Sequence, residues 1–380
     1  MKRLNRRTFL KLSGSAAAGA LLTACAPGAP LPPGPSGGVS GEATPAPTEP
    51  PAPLPSATTA PAATATQPEP TPTLLPAPRT YYRPELIKFF PAVKSKVVQA
   101  SDAAVWQGEA VDPAVVRKLL DKSITALTGL ADAKAAWQAL FKPTEKIAIK
   151  VNVFRNSTIW THVELVKAVT DSLQEAGIPG EQITIFDFLT SELEEAKYPV
   201  NKDGPGVRCH GSDDKYAASW VLPGTDFKLS DILTNCDALI NMPVLKSHMI
   251  AGFTFALKNH YGSVSYPDGL HDIKNSLPPL NAIPPIRETT RLVIGDVLHA
   301  NTKYSNSFPY WEADIRSDSI LMSYDPLAHD LVGLELLKKL AEQKGSPMDG
   351  ILGMAERWIE TAGQAGLGAG DLKDIELVRV

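Results

Sequence analysis

The stretch Lys146-Ile-Ala-Ile-Lys-Val-Asn152, followed by Thr161–Ala176 and then Gln182–Asp187, sets the fold class. The first and third pieces are short apolar runs rich in β-branched residues, which read as buried strands. The middle piece has helical periodicity. Thr161 stands as its N-cap, Glu164 sits at capping-box spacing, and Gly177 ends it. Strand, helix and strand thus follow one another within about forty residues. The pattern continues outward from it. A short helix from Ser230 precedes a strand over Ala238-Leu-Ile-Asn-Met242, and further strands read over Arg291–Asp296 and Ser319–Ser323. Helices read over Pro326–Gln343, with Asp325 as N-cap and Pro326 at the first helical position, and over Met348–Thr361. This alternation predicts an α/β domain with a largely parallel sheet flanked by helices, as one body or two lobes.

In such sheets ligands lie beyond the carboxyl ends of the strands. Asn152, Asp187, Asn241 and Asp296 stand at those ends. Singly, each reads as a loop cap; together they mark a crevice. The densest polar stretch enters the same region: Asn241-Met-Pro-Val-Leu-Lys246-Ser-His248, then Thr254-Phe-Ala-Leu-Lys258-Asn259-His260-Tyr-Gly262. A helix from Met249 would put Thr254 and Lys258 on one face, with Gly262 as its C-cap. Lys246, His248 and Lys258 are the candidate catalytic residues, since desolvated lysines act as bases or nucleophiles and histidine transfers protons. Lys150, Asn152, Thr254 and Asn259 are candidate ligand contacts. Asp187, Asp296 and His271 are candidate metal ligands or orienting partners of a histidine. His260 reads as structural, and Asp330 and the pair Cys209-His210 carry little signal. The glycine-rich 362–370 reads as a loop. P-loop, GxSxG, HExxH and dinucleotide-binding glycine patterns are absent from the sequence.

These pieces resemble the domain of unknown function 362 family: "IKVN" (Ile149–Asn152), "NMPVLKSH" (Asn241–His248), "TFALKNHYG" (Thr254–Gly262), Leu270-His271, "VIGD" (Val293–Asp296) and "SYDPLAHD" (Ser323–Asp330). The resemblance spans roughly residues 145–335. Some family members carry ferredoxin-like cluster modules. The cysteine runs of those members are missing here, so an iron–sulfur cluster is not expected, while a bound metal is compatible with the residues. A strand-end Asn followed by a helix is also an arrangement of the nickel-dependent lactate racemase group, an analogy of fold alone.

The N-terminus supplies an address. Arg6-Arg7-Thr8-Phe9-Leu10-Lys11 matches the twin-arginine export pattern, and Leu22-Thr23-Ala24-Cys25 matches a lipobox with Cys25 as the lipidated residue. The apolar run between them, Leu12–Ala24, is shorter than the roughly 20 residues a spanning helix needs. Residues 1–25 are thus expected to be a lipoprotein signal. The expected partners are the export machinery and the membrane, the latter through the lipid on Cys25, and the expected location is extracytoplasmic. Residues 26–80 are expected to be a disordered tether: 26–78 holds 17 of the chain's 34 prolines and no Lys, Arg or aromatic residue. The α/β domain is expected over 81–380.

Removing Lys2, Arg3, Arg6, Arg7 and Lys11 with the signal takes the formal charge from −4 to −9. An acidic chain without a basic cluster argues against nucleic acid as a partner. Cys209 and Cys236 could pair in an oxidising compartment. Three functions fit: an enzyme acting on a small anionic ligand, a non-catalytic solute- or metal-binding lipoprotein, or a cell-surface interaction module.

Overall fold

The computed structural model describes residues 94–380, except 223, 224 and 347. The signal, Cys25, the tether and residues 81–93 lie outside the described residues.

Ten strands form the main sheet: β1 (Ser95–Ser101), β2 (Ile147–Lys150), β3 (Ile183–Phe186), β4 (Arg208–Cys209), β5 (Ala238–Asn241), β6 (Val244–His248), β7 (Gly252–Thr254), β8 (Thr290–Asn301), β9 (Ile315–Ser323) and β10 (Ile375–Arg379). Their order is β10-β1-β9-β8-β5-β2-β3-β4. All pairs from β8 to β4 are parallel; β9 runs antiparallel to both its neighbours. The expected largely parallel α/β sheet is what forms.

Side chains alternate between two apolar layers, as the period of two requires. Ile147 and Ile149, Ile183 and Ile185, Ala238 and Ile240, and Leu292 and Ile294 face the first layer. Helices α1 (Pro113–Thr128), α2 (Ala133–Leu140) and α3 (Val163–Glu175) cover it. Ala148, Phe186, Leu239 and Val293 face the second layer, under α4 (Ala256–Asn259), α5 (Ile273–Ala282), α6 (Pro326–Gln343) and α7 (Asp349–Gln364). Burial on both faces explains why the strands read as apolar runs rather than alternating ones.

Several elements differ from the sequence reading. Thr161 does not cap α3; His162 holds that position, without a side-chain cap bond. Thr161 Oγ1 instead accepts from Asn152 N at 2.9 Å and donates to Met242 O at 2.8 Å, tying the ends of β2 and β5 together. β8 does not stop at Asp296 but runs on to Asn301, because β6 pairs with its second half after β5 has paired with the first. The helix expected from Met249 is a β-hairpin: Gly252, at φ +82, turns the chain, and β7 lies antiparallel to β6 with Thr254 opposite Lys246. Only Ala256–Asn259 is α-helical there. Asp325 does cap α6, accepting from Leu327 N and Ala328 N. Cys209 and Cys236 are free thiols. Residues 365–370 form a turn that closes on Asp325, which accepts from Ala369 N at 2.9 Å.

Candidate functional site

The carboxyl ends of β2, β3 and β5 converge on a buried polar knot. Lys150 Nζ lies 2.6 Å from Asp187 Oδ1 and donates to Val151 O at 2.7 Å. Asp187 Oδ2 accepts from Val153 N at 2.6 Å. Asn259 is the hub. Its Oδ1 accepts from Asn152 Nδ2 at 2.9 Å and from Lys150 Nζ at 3.3 Å, and its Nδ2 donates to Asn241 Oδ1 at 2.7 Å and to Lys150 O at 3.2 Å. Asn241 in turn donates to Ala256 O, fixing the start of α4. Of the four strand-end residues expected to share a crevice, Asn152, Asp187 and Asn241 meet around Asn259, while Asp296 lies with His162 on the other face of the sheet. Gly262 has a role other than the expected C-cap. A Cβ there would lie 2.7 Å from Lys150 Nζ and closer still to Asp187 Oδ1, so the ion pair requires glycine.

Two further lysines stand beside this knot. Lys246, on β6, and Lys258, on α4, are 3 % and 7 % exposed. Lys246 Nζ sits 4.8 Å from the centre of the Trp311 ring, and Lys258 Nζ 3.9 Å from that of Tyr261. Among the described residues neither ammonium has a carboxylate within ion-pair distance, because Asp187 is engaged by Lys150. Burial pushes both lysines down to about 7; Asp187 partly offsets this for Lys246, and Lys246 adds to it for Lys258. The aromatic faces compensate only part of the lost hydration.

His248 completes the group. Its Nδ1 accepts from Ile250 N at 3.1 Å and Ala251 N at 3.3 Å, so the neutral ring carries its proton on Nε2. Burial, then Lys258, His271 and Lys246, hold it well below the usual histidine range. The His248 ring lies 5.6 Å from Trp311 and 6.3 Å from His271. Thr254, opposite Lys246 on the hairpin, is buried in the same wall. His260 is pushed down to about 3 by burial, with Nε2 3.3 Å from Asn241 Nδ2, and is structural. Asp330, fully buried, accepts from Ala256 N at 2.6 Å and Leu257 N at 2.9 Å and so holds the turn that carries Lys258.

The proposed metal ligands do not converge. Asp187 is on Lys150, His271 is beside His248, and Asp296 lies with His162, whose Nδ1 is 2.8 Å from Asp296 Oδ2. Asp296 belongs to the first apolar side of the sheet, in register with Ile294 and Leu298. Among the described residues no three His, Cys, Asp or Glu side chains are grouped as a metal site. The sequence reading missed Trp311, Tyr261 and His162. Trp311 lies in a patternless connection, and its position over Lys246 arises from the pairing of β6 with β8, which no local signal announces.

A mixed, mainly parallel sheet between two layers of helices defines the fold class, and the lysines and His248 gather at the carboxyl end of its strands. Residues 147–335 match the family described as Domain of unknown function (DUF362), and the chain belongs to that family through this segment. Among solved structures it is similar to the lactate racemase apoprotein from Thermoanaerobacterium thermosaccharolyticum, at 11 % identity and TM-score 0.36, covering 64 % of this chain and 57 % of that one. It is also similar to a structural-genomics target from Thermotoga maritima, at 13 % identity and TM-score 0.38, covering 62 % and 61 %. The chain therefore spans less than two thirds of either protein. No curated protein matches it.

Proposed function

We propose that this chain is an extracytoplasmic, lipid-anchored enzyme that acts on a small anionic ligand at the Lys246–Lys258–His248 group. The observation that carries the reading is the pair of buried ammonium groups seated on aromatic rings without a carboxylate partner among the described residues. A carboxylate or phosphate entering between them would supply the missing charge. Lysines held near 7 are divided between two forms at neutral pH: the charged one binds the anion, the neutral one serves as base or nucleophile. His248 offers Nε2–H to a ligand oxygen. Asn152 Oδ1, buried without a hydrogen-bond partner, would accept from a hydroxyl or amine on the same ligand. Lys150, pinned by Asp187 and Asn259, positions rather than reacts. The location rests on Arg6, Arg7 and the lipobox Cys25; Cys25→Ser should move the protein from the membrane fraction to the soluble one, and unchanged partitioning would refute the anchor.

Calorimetric titration with inorganic phosphate and with acetate tests the site. Wild type should bind with affinity that falls as pH rises through about 7, as both ammonium groups lose their protons. Lys246→Met and Lys258→Met should remain folded and lose that binding. Equal binding in both variants, or none in wild type at pH 6, would overturn the proposal. Turnover distinguishes an enzyme from a carrier: anion binding without conversion of hydroxy, amino or keto acids favours a solute-binding lipoprotein.

A further inference from the structure

A second centre lies on the other side of the sheet. His162 Nδ1 is 2.8 Å from Asp296 Oδ2, and the same oxygen accepts from His162 N at 2.6 Å. Asp296 is fully buried, and its Oδ1 accepts from Leu298 N at 3.1 Å. The imidazole is thereby fixed in position with Nδ1–H towards Asp296, and among the described residues its Nε2 makes no hydrogen bond. His162 lines a cleft of about 320 Å³ with Thr158, Trp160, Glu164, Lys197 and His299, within the size range of small-molecule sites, roughly 300–1,000 Å³. This cleft is separated from Lys246 by the apolar cluster of Ile159, Val244 and Trp311.

The lining selects a kind of ligand. The lining carries one ammonium, Lys197, and one carboxylate, Glu164, and His162, whose pKa Asp296 helps to raise against burial, balances Asp296 when protonated. His299, 4.3 Å from the Trp106 ring, is held down to about 4 by burial and by His162, and is neutral. A cleft with no net charge does not favour an anion. It offers an indole, a hydroxyl, two imidazoles, an acid and an amine, a set that suits alternating apolar and hydroxyl faces. Lys197 adds an independent sign. It occupies φ +65 at the end of the helix Thr190–Glu195, where Tyr198 N bonds Leu193 O, a position that glycine ordinarily fills. A lysine there holds a strained backbone in the lining of a cleft, as residues at binding sites do.

We propose that this cleft binds an uncharged, polyhydroxylated ligand of the saccharide class, with Trp160 as its stacking surface and His162 Nε2, Glu164 and Lys197 as hydroxyl partners. The full-length chain, fluorescently labelled in detergent, is applied to an array of neutral and anionic saccharides. Wild type should retain neutral saccharides. Lys197→Gly removes the amine and relieves the backbone strain, so it should melt no lower than wild type while binding about tenfold more weakly or worse. Trp160→Leu should show a similar loss. Retention of no neutral saccharide, retention of anionic ones alone, or undiminished binding by both variants would overturn the proposal.

Discussion

Lys246 and Lys258 hold free energy in reserve. Folding strips their ammonium groups of water and returns only more distant carboxylates, Asp187 for Lys246 and Asp268 for Lys258, so each is pushed from 10.5 to about 7. The unfolded chain then binds more protons than the folded one between about pH 7 and 10.5, and stability rises with pH across that window. Below it each lysine destabilises the fold by an amount on the order of a few kcal/mol. Lys258→Met keeps the length of the side chain and its contact with Tyr261 but removes the charge. Urea denaturation at pH 6.5 should therefore find the variant more stable than wild type, with the difference shrinking towards pH 10. A variant less stable at both pH values would mean that the ammonium is stabilised by its surroundings, contrary to the site as described. Lys150 behaves differently, because Asp187 lies 2.6 Å from its Nζ and Gly262 leaves room for the pair.

At the scale of elements, legibility followed locality. The strand over Ile147–Lys150, the helix Pro326–Gln343 and its Asp325 cap are encoded by neighbours within a few residues, and all were readable. Parallel strands place their carboxyl ends together, which brought Asn152, Asp187 and Asn241 within reach of a sequence reading, but Asp296, read into the same crevice, faces the other layer beside His162. The segment after His248 was not readable. Thr254 and Lys258 fit helical spacing, but Gly252 at φ +82 turns the chain into a hairpin, and what holds α4 is Asp330, more than seventy residues away, accepting from Ala256 N and Leu257 N. A cap supplied at that separation leaves no trace in local periodicity. Thr161 failed for the same reason: its hydroxyl serves Met242 and Asn152 across the sheet instead of its own helix. That Lys246, His248 and Lys258 lie near one another was therefore legible from their neighbourhood in the sequence, while the aromatic surfaces against the two lysines, Trp311 and Tyr261, were not.

Across the whole molecule, the parallel strands place the proposed site and a structural ion pair at opposite ends. Their carboxyl ends carry Lys150, Asn241 and the lysine group, where charge is buried at a cost. Their amino ends carry a different buried charge. Arg291, at the start of β8, makes two bonds to Glu145, just before β2: Nη1 to Oε2 at 2.6 Å and Nη2 to Oε1 at 3.0 Å. Arg291 also donates to Leu140 O at 2.8 Å and lies 5.2 Å from the Phe141 ring. This clasp ties β8, the entry to β2 and the end of α2 together, at the end of the strands opposite the lysine group. Glu145→Gln leaves the guanidinium buried with half its partner's charge-assisted bonding gone, which should cost about 3 kcal/mol in urea denaturation. Because the clasp lies at the opposite end of the strands from Lys246, phosphate affinity per folded molecule should not change. Loss of that affinity in a variant that is still fully folded would show that the two ends of the sheet are energetically coupled.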